Sequence, residues 1–123
     1  MDPDLWGPHA WYLIESCVIH LDNDDINART KFAEFMENLQ FLLPCGSCKV
    51  NLREYMLKNP VPTDTKEHIV NWVIDLHNDV RKRSRRSQFS REDVIGFYTG
   101  SLDKSYVLAV LVVVIGIIIL NLD

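Results

Sequence analysis

The chain has 123 residues, which is a length for one small domain. Its 17 acidic and 13 basic residues give a net charge of −4, so nucleic-acid binding is not the expected function. Hydrophobic residues make up 47% of the chain, which is too many for a disordered protein. Three cysteines are too few, and odd in number, for a small secreted scaffold held by disulfides.

Apolar residues recur at helical spacing along most of the chain, and no window alternates as a β-strand would. The first stripe runs from Trp11 to Leu21 and includes Cys17, which we expect to be a core thiol. Further helices are predicted within 26–43, 45–56 and 66–80, with a short fifth helix between Ser90 and Gly100. The predicted fold class is therefore all-α: a four-helix bundle plus a short fifth helix.

The C-terminal segment 105–122 holds no charged residue in 18 positions. As a helix it would span roughly 27 Å, close to the hydrocarbon core of a bilayer at about 30 Å. The alternatives are a buried strand or a core helix. We predict a C-terminal transmembrane anchor. Because six basic residues and no acidic one lie between Arg81 and Arg91, the N-terminal domain of this single-pass membrane protein is expected on the cytosolic side.

The strongest chemical motif is Cys45-Gly46-Ser47-Cys48, preceded by Pro44. Two cysteines at positions i and i+3 at the start of a helix can form a disulfide, and the helix N-terminus favours a thiolate. Both could instead be small core residues. No second pair with metal-ligand spacing accompanies them, so we expect no metal site. The motif indicates thiol–disulfide chemistry.

A redox-active dithiol needs an electron acceptor, and a bound flavin would accept two electrons. Trp6 and Trp11 could pack against a planar ring, although most tryptophans simply pack in a core. His77 could equally face solvent or be capped. The basic run 81–86 would bind a pyrophosphate well, because contacts between guanidinium and phosphate are strong.

Three motifs occur in order: WGPxxW at 6–11, the CxxC at 45–48, and W-x4-H-N-x-V at 72–80. Together they resemble the Erv/ALR family of FAD-linked sulfhydryl oxidases, in particular the small single-domain versions of large DNA viruses. The resemblance covers roughly residues 5–98. It implies a four-helix bundle with an extra short helix, FAD at its mouth and a homodimer, here as an oxidase domain over 1–100 followed by the anchor.

The resemblance also assigns roles to residues. It implies that Cys45 exchanges with the substrate and that Cys48 lies against the isoalloxazine. The histidine that the family carries four residues after its second tryptophan is Glu15 here, and His20 is a candidate substitute. The positions implied for FAD binding are Trp6, Gly7, Trp11, His77, Asn78, Val80 and Phe89, with Arg81 and Arg86 as cations.

The implied activity is that of an FAD-dependent thiol oxidase. Electrons would pass from a dithiol through Cys45–Cys48 and FAD to molecular oxygen, which gives hydrogen peroxide. The family's separate shuttle CxxC is absent, so a thioredoxin-like or glutaredoxin-like relay protein is expected to deliver electrons. Its substrates would be viral proteins, at a host or virion membrane. The alternative is a tail-anchored helical adaptor without redox activity.

Overall fold

The computed structural model describes residues 1–100 and 104–121, with side chains of the last helix from residue 107 onward. Over this part of the chain the secondary structure is entirely helical, in agreement with the all-α part of the prediction. The helices are α1 (Pro3–Ile19), α2 (Ile26–Leu42), α3 (Gly46–Lys58), α4 (Lys66–Arg83), α5 (Arg91–Thr99) and α6 (Lys104–Leu120).

Each of the first five helices begins at a side chain that accepts a hydrogen bond from a backbone N–H of the first turn. These N-cap residues are Asp2, Asp25, Cys45, Thr65 and Ser90. An N-cap contributes about 1 kcal/mol to the stability of the protein, because it accepts a hydrogen bond from a backbone N–H that has no partner within the helix. Local sequence therefore fixes where α1 to α5 start, and one of these caps is a cysteine of the CxxC motif.

The core is built around α4, whose Ile69 and Val73 are completely buried. α4 packs against α1 and α5, while α2 packs against α3. The core is completed by apolar residues such as Val18 of α1, Met36 of α2 and Val94 of α5. This packing turns one face of α1 toward one face of α4, which brings together the motifs at 6–11 and 72–80.

The predicted place of Cys17 in the core is wrong. The buried residues of α1 are Ile14, Glu15, Val18 and Ile19, and Cys17 is an exposed free thiol. One residue turns a helix by about 100°, so the neighbour of a buried residue readily lies outside the buried face.

The predicted transmembrane anchor over 105–122 is also wrong. Within the described residues, none of the helices combines the length and apolar character needed to cross a membrane. α6 has 17 residues, fewer than the about 20 apolar residues that a membrane-spanning helix usually needs. Leu122 lies outside the described residues. The predicted location depended on this anchor and is therefore wrong as well. It was that of a single-pass protein in a host or virion membrane, with its N-terminal domain in the cytosol.

Candidate active site

A cavity of about 780 Å³ opens among the first five helices. It falls within the usual range of ligand pockets, about 300–1,000 Å³. Most residues that the sequence singled out lie on its wall, although they are scattered along the chain. These lining residues are Trp6, Gly7, Trp11, Cys48, His77, Val80, Arg81, Arg86 and Phe89.

Cys45 and Cys48 form a disulfide at the N-terminus of α3. Cys48 lines the cavity, whereas Cys45 lies outside its lining. The backbone N–H of Cys48 donates to the Sγ of Cys45 at 3.3 Å, and the Ser47 hydroxyl lies 3.4 Å from the same sulfur. These polar groups, with the helix N-terminus, would stabilise negative charge on Cys45 when the disulfide is opened.

Aromatic rings form a flat section of the cavity wall. The Trp11 indole and the His77 imidazole stack with centroids 4.1 Å apart and 5° between their planes. Phe89 meets His77 edge-on at 5.3 Å, and the Arg81 guanidinium lies over the Phe89 ring at 3.9 Å. α1 and α4 thus present parallel rings to the cavity, a surface suited to a planar ligand.

Glu15 also lines the cavity and contacts this aromatic wall. Its side chain is buried, and His77 Nδ1 lies 2.5 Å from Oε1 while the Tyr98 hydroxyl donates to Oε2 at 2.6 Å. Burial, together with the Glu15 carboxylate, raises the pKa of Tyr98 well above its usual value, so that Tyr98 remains a donor. His20 does not substitute here, because it is exposed, lies outside the lining and contacts the Ser16 carbonyl.

Sequence reasoning missed the roles of Glu15 and Tyr98. Glu15 appeared only as a departure from the family pattern, although it lies four residues after Trp11 and so shares its helix face. No local signal pointed to Tyr98, which lies 83 residues away in the chain.

Asn78 is outside the cavity lining and acts on a cavity residue instead. Its amide donates to the Phe89 carbonyl at 2.9 Å and accepts from the Phe89 N–H at 2.8 Å. This pair of bonds ties the loop after α4 back to that helix. Asn78 therefore fixes Phe89 on the wall.

Three arginines, Arg81, Arg83 and Arg86, line the cavity. Arg86 pairs with Asp4 at 2.7 Å, and Arg83 pairs with Asp79 at 2.8 Å. The Arg81 side chain donates to the Ser87 carbonyl. Guanidinium groups at this position suit the phosphates of a nucleotide cofactor.

The residues present fit FAD. The cavity lining combines flat aromatic rings, guanidinium groups and one sulfur of the cystine. The indole Nε1 of Trp6 is buried and has no hydrogen-bond acceptor among the described residues, although Trp6 lines the cavity. A buried donor without an acceptor is costly, and a polar ligand in the cavity would supply one.

The Erv1 / Alr family model matches residues 8–98 of the sequence. The chain belongs to the Erv1/Alr family. A probable FAD-linked sulfhydryl oxidase of Acanthamoeba polyphaga mimivirus is 24% identical over 110 residues, covering 86% of this chain and 66% of the relative. An FAD-linked sulfhydryl oxidase of African swine fever virus is 28% identical over 102 residues, covering 81% of this chain and 85% of the relative.

The fold of this Erv1/Alr protein matches that of a solved relative. The crystal structure of the FAD binding domain of Erv1 from Saccharomyces cerevisiae superposes with a TM-score of 0.75 at 21% identity. The match covers 84% of this chain and 99% of the yeast domain.

The family-model match and the viral relatives confirm the prediction that this is an Erv/ALR sulfhydryl oxidase of the viral type. They confirm an FAD-dependent thiol oxidase that acts on dithiols, with FAD as cofactor. They do not support the alternative of an adaptor without redox activity.

Proposed function

We propose that residues 1–100 form the oxidase domain and that the cavity described above holds its FAD. The observation that carries the proposal is the position of the disulfide: Cys48 lines the same cavity as the stacked Trp11 and His77, while Cys45 lies outside the lining. One sulfur would therefore be available to the cofactor and the other to a substrate.

The thiol steps follow from this arrangement. A substrate thiolate attacks the Sγ of Cys45, which forms a mixed disulfide and releases the Cys48 thiolate. The second substrate thiol then attacks the mixed disulfide, so the substrate leaves oxidised and both cysteines are reduced. The N–H of Cys48 and the hydroxyl of Ser47 stabilise the Cys45 sulfur as it leaves. When bound, FAD supplies the two-electron acceptor for the reduced pair, with oxygen as the final acceptor and hydrogen peroxide as the product.

The chain's own residues would hold the cofactor in the following way. The Trp11–His77 stack offers a flat surface, Trp6 offers its free indole N–H, and Gly7 and Val80 complete the wall. Arg81 and Arg86 supply positive charge for the phosphates.

The first test is an absorption spectrum of the purified protein, which should show flavin absorbance near about 450 nm. Cys45→Ser and Cys48→Ser should each abolish oxygen uptake with dithiothreitol. Cys17→Ser is the matched control, because this thiol is exposed and outside the cavity lining, and it should retain full activity. A colourless protein that takes up no added FAD, or full activity in either serine variant, contradicts the proposal.

A second experiment separates the roles of the two cysteines. Each variant, in a Cys17→Ser background, is first converted at its remaining cysteine to a mixed disulfide with thionitrobenzoate. A thiol of a labelled protein that carries one cysteine can then attack this sulfur and release thionitrobenzoate. Cys48→Ser, in which Cys45 is the activated sulfur, should trap the labelled protein in this way. Cys45→Ser should trap less, because the remaining sulfur lies on the cavity side. Equal trapping by the two variants would contradict the assignment of Cys45 as the exchanging sulfur.

The electron donor is proposed to be a thioredoxin-like or glutaredoxin-like dithiol protein. Beyond the disulfide pair the chain holds only Cys17, and a single thiol cannot form a second dithiol relay. Oxygen uptake should therefore be faster with a reduced thioredoxin-like protein than with the same protein carrying one cysteine. Equal rates would exclude a relay of this kind.

A homodimer is proposed as well. The support is the family resemblance and the exposed apolar residues that α1 carries, among them Leu5 and Leu13. Sedimentation equilibrium should give twice the chain mass, and Leu13→Asp should shift it to the monomer. A monomeric wild type would overturn this part of the proposal.

A further inference from the structure

A buried carboxylate in the cavity lining joins three helices. Glu15 of α1 is only 4% exposed, and its two oxygens contact His77 of α4 and Tyr98 of α5 at 2.5 and 2.6 Å. A carboxylate is among the costliest groups to bury, and it is tolerated when its oxygens are paired. A hydrophobic residue at this position would cost the core less, so the carboxylate calls for an explanation beyond packing.

A second buried charge in the described part of the chain provides a contrast. Arg29 donates to the backbone carbonyls of Thr63, at 3.0 Å, and of Asn23. It holds two loops in place and lies outside the cavity lining. Glu15 instead lines the cavity, and its hydrogen-bond partners His77 and Tyr98 line it as well.

The two contacts of Glu15 fix the orientation of both partners. The Nδ1 edge of the His77 imidazole faces Glu15 Oε1 at 2.5 Å. A flip of the imidazole about its χ2 angle would break this bond. Tyr98 adds a second donor from α5, and its raised pKa keeps the hydroxyl protonated.

We propose that Glu15 is a positioning residue for FAD. It holds the His77 ring parallel to the Trp11 ring, so that the flat wall exists before the cofactor arrives. Without this carboxylate, FAD itself would have to order the imidazole and would bind more weakly. The inference rests on the proposed function, since it requires FAD to occupy this cavity.

The test uses Glu15→Gln, because the side chains have nearly the same shape and a glutamine leaves one of the two donors without an acceptor. Glu34→Gln is the matched control, since Glu34 lies exposed on α2 and pairs only with Lys31. We would titrate FAD by fluorescence, record the visible circular dichroism of the bound flavin and measure the thermal midpoint of the cofactor-free chain.

We expect Glu15→Gln to raise the FAD dissociation constant about tenfold and to change the visible dichroism, as the loss of a charge-assisted hydrogen bond predicts. Glu34→Gln should stay within about twofold of the wild type. Wild-type affinity and dichroism in Glu15→Gln would overturn the inference while leaving the proposed function intact. A wild type that binds no FAD would instead overturn the proposed function.

Tyr98→Phe keeps the inference testable should Glu15→Gln fail to fold. It removes one donor and leaves the contact between Glu15 and His77 in place, so we expect about a threefold loss of FAD affinity. A Tyr98→Phe variant with wild-type affinity and dichroism would count against the inference. Where the double variant folds, its loss should be less than the product of the two single losses, because both act on one carboxylate.

Discussion

Asn78→Ala provides a sharp test of how the cavity wall is assembled. The Asn78 side chain makes two hydrogen bonds to the backbone of Phe89, at 2.9 and 2.8 Å, yet it lies outside the cavity lining. The substitution would therefore change no lining residue chemically, and it would remove the restraint on the loop that carries Phe89. Arg81, which lies over the Phe89 ring, would lose its stacking partner at the same time.

The size of the effect follows from the two bonds. Each intramolecular hydrogen bond contributes about 0.5–1.5 kcal/mol, so together they hold Phe89 with about 1–3 kcal/mol. If FAD must restore this order when it binds, the same free energy is lost from its affinity. At about 1.4 kcal/mol per tenfold, the FAD dissociation constant should rise between about fivefold and a hundredfold.

The assay is a fluorescence titration of the cofactor-free variant with FAD, combined with urea unfolding of the same sample. Asn38→Ala is the matched control, because Asn38 is exposed on α2 and bonds only to the Glu34 carbonyl. It should change FAD affinity by less than about twofold. A folded Asn78→Ala protein with unchanged FAD affinity would refute the reasoning that Phe89 must be held in place for the cofactor.

Three further predictions concern other parts of the molecule. Ile69→Ala empties a completely buried position in α4 and should lower the free energy of unfolding by about 2–4 kcal/mol in urea titrations; a loss below about 1 kcal/mol would mean that the core closes over the gap. Burial, reinforced by two nearby carboxylates, raises the pKa of Tyr55 to about 12. The unfolded chain therefore releases this proton from about pH 10 while the native chain retains it, so stability falls as pH rises through this window. In Tyr55→Phe the urea midpoint should therefore fall less steeply between about pH 10 and 12 than in the wild type. An equal dependence of the urea midpoint on pH in the two proteins would contradict the assignment of this effect to Tyr55. Asp4→Asn frees Arg86 from an exposed ion pair and should tighten FAD binding up to about fivefold at low salt; weaker binding would show that Asp4 holds Arg86 in place for the cofactor.

The sequence predicted those parts of the site that depend on local chemistry. Cys45 and Cys48 were placed at a helix start from their spacing and from Pro44, and the structure has Cys45 as the N-cap of α3. Trp11 and His77 were chosen from separate motifs. They meet because α1 packs on α4, which places residues 66 positions apart on facing helix surfaces.

What the sequence did not reveal depends on contacts between distant elements. The hydrogen bond between Glu15 and Tyr98 exists because α5 folds back on α1, and periodicity within either helix carries no trace of it. Asn78 was assigned to FAD from the family pattern, but its amide is engaged by the Phe89 backbone. The anchor was predicted from the length and the charge-free composition of 105–122, but none of the described helices combines the length and the apolar character needed to cross a membrane.

The position of the disulfide implies that FAD binding and recognition of the protein substrate depend on different surfaces of the molecule. A cavity of about 780 Å³ is of a size for a small molecule, so under the proposed roles a folded protein substrate would stay outside and reach Cys45 from the surface. Cys48, which lines the cavity, would then carry the electrons inward without the substrate having to enter. Substitutions of wall residues such as Trp11 should therefore change FAD affinity and leave the KM for a protein dithiol unchanged once FAD saturates the enzyme. Substitutions of exposed residues just before the motif, such as Phe41 and Leu42, should do the reverse. A wall variant saturated with FAD whose KM for the protein dithiol rises severalfold would show that the substrate contacts the cavity and that the two functions share one surface.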